Sequence, residues 1–252
     1  MDRLIYTAMT GASQALEQQT VVANNLANVS TTGFRAQLAN FRAVPMGPDT
    51  ANGVSDDTTR TFVLSSTPGS DMTPGAISQT GNPLDVAVDG PGWLTVQDAN
   101  GNEAYTRAGN LHVAADGQLM SANNLPVIGT GGPIAVPPGA QITIGKDGTV
   151  SAIAPGNSPS AIAVVDQLKL VNPQGGTLQR GDDGLFRTAD GNPADADQSV
   201  TLVPGALEGS NVNPVSAMVA MITNARQFQL QTKMLTTADQ NEQSANQLLN
   251  FS

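Results

Sequence analysis

The stretch NNLANVSTTGFR, residues 24–35, ends a run with helical periodicity and begins something else. Three Asn, three Ser or Thr, one Gly and an aromatic follow one another where an amphipathic helix would normally continue or stop at a single glycine. Gly and Pro show how sharply the surroundings change. All 16 prolines lie between Pro45 and Pro214, and only Gly11 and Gly33 precede Gly47. Residues 1–44 and 215–252 are therefore almost free of helix breakers, while the middle is full of them.

Upstream of the stretch, Ile5, Ala8, Ala12, Ala15, Gln19, Val22, Leu26 and Val29 alternate at spacings of three and four, with Met9, Leu16 and Ala23 beside them. This spacing predicts a coiled-coil-type helix over 4–27. At the other end Met218, Ile222, Ala225, Phe228, Thr232, Leu235, Ala238, Glu242, Ala245 and Leu249 repeat the pattern, and Asn213-Pro214 marks the start of a second helix. Both helices carry Gln, Asn, Thr and Ser where Glu and Lys would ordinarily face water. Without Glu–Lys pairs, and with Ala-rich stripes that bury little area, each is marginal alone. Such helices are expected to pair and then to order fully against other chains.

Between them LDVAV (84–88), WLTVQ (93–97), LHVAA (111–115), QITIG (141–145) and AIAVVDQLKLV (161–171) read as strands. Asp-Gly or Asn-Gly pairs punctuate them at 89–90, 100–101, 116–117, 147–148, 183–184 and 190–191, as tight hairpin turns require. LHVAADGQLMS and ITIGKDGTVSAI each predict one hairpin. The expected fold is α+β, a mainly-β central domain flanked by N- and C-terminal coiled-coil-type helices. Its parts are a helical arm at 1–45, an extended linker at 46–80, a β-rich domain at 81–208 and a second arm at 209–252.

The net charge is −10, with charged residues at only 13%, about half the usual share. Residues 1–45 hold three Arg against two acids, and 209–252 balance two against two, so the acid excess lies in the middle. Nucleic acid is not an expected partner, because its binding needs a basic face. The chain has no cysteine, which removes disulfides, thiolate catalysis and Cys-based zinc sites. No run approaches the ~18 apolar residues of a membrane span. The opening MDRLIYTAMTGASQALEQQ lacks the basic and apolar blocks of a cleaved signal peptide.

Candidates for chemistry are few. The single His112 sits in an alternating strand. Asp190, Asn192, Asp195 and Asp197 miss the ligand order of a calcium loop. GTGG (129–132) runs into Pro133 with no helix to present to a phosphate, and Asp85 with Asp89 reads as turn and edge carboxylates rather than as an acid–base pair. Asn28-Val29-Ser30 is a sequon of the kind chance supplies. No catalytic residue, cofactor or metal is expected.

The opening stretch resembles the signature Asn-Asn-Leu-Ala-Asn-x-x-Thr-x-Gly-Phe-Lys/Arg of bacterial flagellar rod and hook proteins. LEGSNVNPV (207–215) resembles the block that introduces their C-terminal helix, and GNPLDVAVDGPGWLTVQ (81–97) with YTRAGNL (105–111) resembles the start of their β domain. MDRLIYTAMTGA, GGPIAVPPGAQITIG and ANQLLNFS are closest to members of the proximal rod, with the distal rod as the alternative within the family. A β-rich extracytoplasmic binding protein or adhesin is the alternative outside it. The resemblance implies a structural, non-enzymatic subunit, exported by the flagellar type III apparatus and polymerised helically in the rod that crosses the periplasm. Its implied partners are other rod proteins, copies of itself and the export apparatus. Stripes and motifs together nominate Ile5, Leu16, Val22, Asn25, Leu26, Asn28, Thr31, Gly33 and Phe34 as assembly residues on the first side. On the second they nominate Asn211, Val212, Asn213, Pro214, Met218, Ile222, Phe228, Leu235 and Leu249. Gly33 is expected to turn left-handed, Phe34 to anchor the departing chain in an apolar pocket, and the Asn and Thr side chains to satisfy open carbonyls and bridge to neighbouring subunits.

Overall fold

A computed structural model describes residues 2–45, 61–156, 162–173 and 178–249. Helix α1 spans Asp2–Ala27 and helix α2 spans Pro214–Leu249, with β structure between them. The chain divides into two compact units, one drawn from 1–27, 37–69 and 213–252, the other from 28–36 and 70–212. The α+β reading therefore holds, with one redistribution: residues 28–36, grouped with the first arm by sequence, belong to the β unit.

In the helical unit α1 packs along α2, and strands Gln37–Pro45 and Thr61–Ser70 form a two-stranded sheet. The connection expected over 46–80 lies partly outside the described residues, at 46–60. Over Thr61–Ser70 and Ile77–Gln79 it is strand, and Phe62-Val63-Leu64 has the β-forming character that the surrounding Ser, Thr, Pro and Gly obscure.

The β unit is assembled from small antiparallel ladders. The largest sheet runs Leu170–Val171, Trp93–Gln97, Glu103–Thr106, Phe186–Thr188, Leu178–Arg180 from edge to edge. A second joins Gln141–Ile144, Thr149–Ile153 and Ala163–Gln167. Both predicted hairpins form, Leu111 pairing Ser121 and Ile142 pairing Ala152. The long strand expected over 161–171 is instead two: 163–167 joins the second sheet and 170–171 crosses to Trp93–Leu94. Leu168 N–H turns to Gly148 O and Lys169 N–H to Ile128 O between them, so the apolar run serves two sheets rather than one.

Glycines of all six Asp-Gly and Asn-Gly pairs lie at φ between 73° and 85°, the left-handed region that such turns need. The alternating strands close a core of Val86, Val88, Leu94, Val96, Leu119, Ile134, Ile144, Val150 and Leu202, none more than 2% exposed. Each such burial stabilises by roughly 1.5–3 kcal/mol before entropy is charged against it. Trp93, Tyr105, Val171 and Phe186 form a second, smaller cluster.

Candidate assembly site

Helix α2 begins where its sequence says. Asn213 Oδ1 accepts the N–H groups of Val215 at 3.0 Å and Ser216 at 3.1 Å, an N-cap satisfying two donors that have no intrahelical acceptor. Pro214 occupies the first helical position, where its missing N–H costs nothing. The seam between the helices is small-sided: Ala8, Ala12, Ala15 and Ala238 are buried, with Asn224. A Cβ on Gly11 would lie 2.9 Å from Gln231 Nε2, so that glycine lets the helices approach.

The larger apolar residues lie elsewhere. Val215, Met218, Val219, Ile222, Leu230 and Met234 on α2, and Met9 and Leu16 on α1, are all about half exposed or more. At about 100° per residue the six on α2 span about 160° of arc, roughly opposite Asn224 and Ala238. Helix α2 thus closes a small-sided face on α1 and carries its large apolar side chains on a second arc, exposed among the described residues, which Arg226 and Lys233 share. Of the nominated residues, Val22, Leu26, Phe228 and Leu235 are half-buried, whereas Leu16, Met218 and Ile222 are exposed. The side chains of Ile5 and Leu249 lie outside the described residues. Threonines on the helices bond back to their own backbone, as Thr20 to Leu16 O and Thr223 to Val219 O.

The signature stretch continues from α1 into the β unit. Asn25 first closes a clamp inside the helical unit, donating to Gln37 O at 2.9 Å and accepting Gln37 N–H at 2.8 Å. Thr31 N–H then bonds Asn28 O at 3.2 Å, and its hydroxyl bonds Asn28 Oδ1 at 3.1 Å. Gly33, at φ 68°, donates to Glu208 O at 2.8 Å. A side chain there would overlap the Arg107 carbonyl and the Ala108 nitrogen, so only glycine fits. Phe34 is buried beneath the Arg180 guanidinium, 4.5 Å from its ring centre. Asn211 fastens the exit: its Oδ1 accepts Ala36 N–H at 2.7 Å, and its Nδ2 donates to Asp71 O and Thr73 O, each at 3.0 Å. The amides of Asn25 and Asn211 thus bond within their own chain. Beside the loop a polar groove of about 540 Å³ is lined by Asn28, Thr31, Thr32, Asn110, Asn123 and Arg180 among others.

Beneath the loop sits an ionic cluster that the sequence reading does not single out. Glu208 takes Arg35 at 2.6 Å on one oxygen and Arg107 at 2.9 Å on the other, all three side chains at most 4% exposed. Gly75 N–H adds a bond to Glu208 Oε1 at 2.8 Å, and Arg107 donates to Gly90 O at 2.7 Å. Both guanidinium groups lie against Trp93, at 5.9 and 5.3 Å. Burial lowers the Arg107 pKa, Glu208 opposes that, and Arg35 reinforces it. One signal is available: in a chain so poor in charge, Arg35 and Glu208 each stand inside a recognised block. Neither motif alone shows that they meet.

His112 and Asp85 each have structural partners. His112 pairs with Met120 in a hairpin, and Asp85 accepts Thr80 Oγ1 at 2.6 Å and Asn82 Nδ2 at 3.0 Å. Among the described residues no group of three or more His, Asp or Glu could hold a metal, and no helix is long and apolar enough to cross a membrane.

Comparison with known proteins covers both ends and the body. Residues 5–35 match the family described as flagella basal body rod protein, 87–152 the D1 domain of the flagellar hook protein FlgE/F/G, and 203–248 the C-terminal domain of the flagellar basal body rod FlgEFG proteins. Over all of both chains the sequence is 55% identical to the flagellar basal-body rod protein FlgF of Salmonella typhimurium and 52% identical to that of Escherichia coli. It is 31% identical to the rod protein FlgG of Buchnera aphidicola, over 97% of this chain and 98% of the relative.

Proposed function

The chain belongs to the flagellar basal-body rod protein family, and from that premise we propose that it is a non-enzymatic structural subunit of the rod, serving motility as one element of a helical stack. The FlgF-type relatives at 55% and 52% identity, against 31% for a FlgG, favour the place in the rod that FlgF fills. The proximal rod is the position that the resemblance implies.

The observation that carries this reading is the second apolar face of α2. A heterologous, non-closing assembly needs two different surfaces on each subunit. The helix pair offers the Val215–Met234 face of α2 and the Met9–Leu16 stripe of α1, and a rod neighbour or another copy of this chain would cover them. Low charge along both helices suits a chain threaded through the type III export apparatus to the periplasm, since little local structure must be undone. The arms gain most of their stability when neighbours stack on them.

Deleting the gene is the direct test. The deletion strain is expected not to swim and to carry basal bodies without a complete rod and hook, both restored by the intact gene. Normal swimming would overturn the assignment. Protease-resistant, cooperatively melting arms in a lone monomer that never co-assembles would overturn the account of stacking.

A further inference from the structure

Arg35 arrives at the β unit on the signature loop, and Glu208 on strand Ala206–Glu208 near the opposite end of the chain. A guanidinium cannot shed its proton to escape burial. Arg107 has other acceptors, donating to Gly90 O and Val88 O. Arg35 has no such alternative: among the described residues Glu208 is its one charge partner, an ion pair by proximity, and none of its Nε, Nη1 and Nη2 makes an aligned hydrogen bond. Docking the loop therefore places a second buried cation beside Arg107, and a single carboxylate, Glu208, compensates both. Without that carboxylate the docked loop would hold two uncompensated buried charges, an arrangement that folded proteins avoid.

We propose that Arg35, Glu208 and Arg107 form a closure latch, in which the signature loop 28–36 docks on the β unit only once the segment 206–211 is in place. Backbone bonds reinforce the condition, because Gly33 N–H needs Glu208 O and Ala36 N–H needs Asn211 Oδ1. A chain whose N-terminal part becomes available first holds its loop undocked until Glu208 arrives, so the two blocks recognised separately in the sequence act as one device. Residues Arg35, Glu208 and Arg107 are positioning residues for the loop. The latch is independent of the rod assignment and stands or falls on the purified chain.

The test is hydrogen exchange on the full-length protein. Glu208→Gln keeps the shape, deletes the charge and turns one of the two accepting oxygens into a donor. Its Gly33 and Ala36 amides are expected to exchange at least tenfold faster than in the wild type. Amides of the 111–121 and 141–153 hairpins should keep their protection, which separates undocking from unfolding. The triple variant Arg35→Met, Arg107→Met, Glu208→Leu removes the charge problem and is expected to restore slow exchange at Gly33, since well-packed apolar groups replace buried ion networks without loss. Wild-type protection in Glu208→Gln, or exchange in the triple variant as fast as in Glu208→Gln, would overturn the latch.

Discussion

The helical unit and the β unit hide opposite kinds of residue. In the β unit most large branched side chains are inside, with Ile77, Ile162 and Val164 as exposed exceptions. Along the helices, alanines are inside and Met218, Ile222, Leu230 and Met234 are outside. The β unit closes its own core, whereas the helix pair stops halfway, with its larger apolar groups still available. In the proposed reading a stack of such subunits uses that division: a body with a closed core and a pair of helices that leaves large apolar groups exposed.

The strongest way to break this contrast is to charge the open face. Met218→Asp with Ile222→Asp is expected to abolish incorporation into basal bodies and swimming. The monomer's melting should move little, because exposed substitutions usually change stability by within about 0.5 kcal/mol. A monomer that unfolds instead would show that the face is already needed within one chain. A matched pair of Leu→Ala variants sharpens the same point in stability alone. Leu119→Ala, at a site 0% exposed, is expected to cost about 2–5 kcal/mol in urea denaturation, while Leu230→Ala, at 64% exposed, should cost far less. Similar losses at both sites would erase the distinction between the units.

Sequence periodicity reads the two helices well because a 3.6-residue repeat needs no knowledge of distant partners. It reads the hairpins for a similar reason: Asp116-Gly117 and Asp147-Gly148 set local turns, and the flanking alternation sets the register. The alanine seam was legible in Ala8, Ala12 and Ala15. Which face of α2 stays open is not, because both faces carry apolar residues and the stripe through Met218 and Ile222 does not tell them apart. The signature loop reads as a junction and as a surface for neighbours. Its fastening to Glu208 and Asn211 joins residues at opposite ends of the chain, and no local pattern encodes such a pair. The split of 161–171 into two strands was hidden likewise, since a continuous apolar run does not say how many sheets share it.

A smaller effect is expected at the boundary between the regions. Asn213→Ala removes the side-chain acceptor for Val215 and Ser216 N–H and should cost about 0.5–2 kcal/mol of helix stability, seen as a lower helical melting point by circular dichroism. Asn213→Asp or Asn213→Ser should retain most of it. An unchanged melt in Asn213→Ala would mean that contacts beyond the cap set the helix end.

The smallest and most selective effect is electrostatic and belongs to the β unit alone. Arg187 donates to Asp98 at 2.9 Å and to Asp183 at 2.6 Å. Its hydrogen bonds hold both carboxyls below their usual pKa. A carboxyl lowered on folding adds stability above its unfolded value, about 3.9, and that stability is lost as pH falls through the lower folded value. The β unit should therefore show flat stability from about pH 5 to 8 and a decline below about pH 4. Arg187→Met should reduce the neutral-pH stability by at most about 1 kcal/mol, as for partly exposed ion pairs, and make the acid decline shallower. Exchange of the 93–106 strand amides measured at pH 3.5 and pH 6 separates this from any change in the helices, which carry neither partner. An equal acid decline in Arg187→Met and the wild type would assign the acid sensitivity of the β unit to other carboxylates, with the hydroxyl-bonded Asp147 and Asp197 next in line.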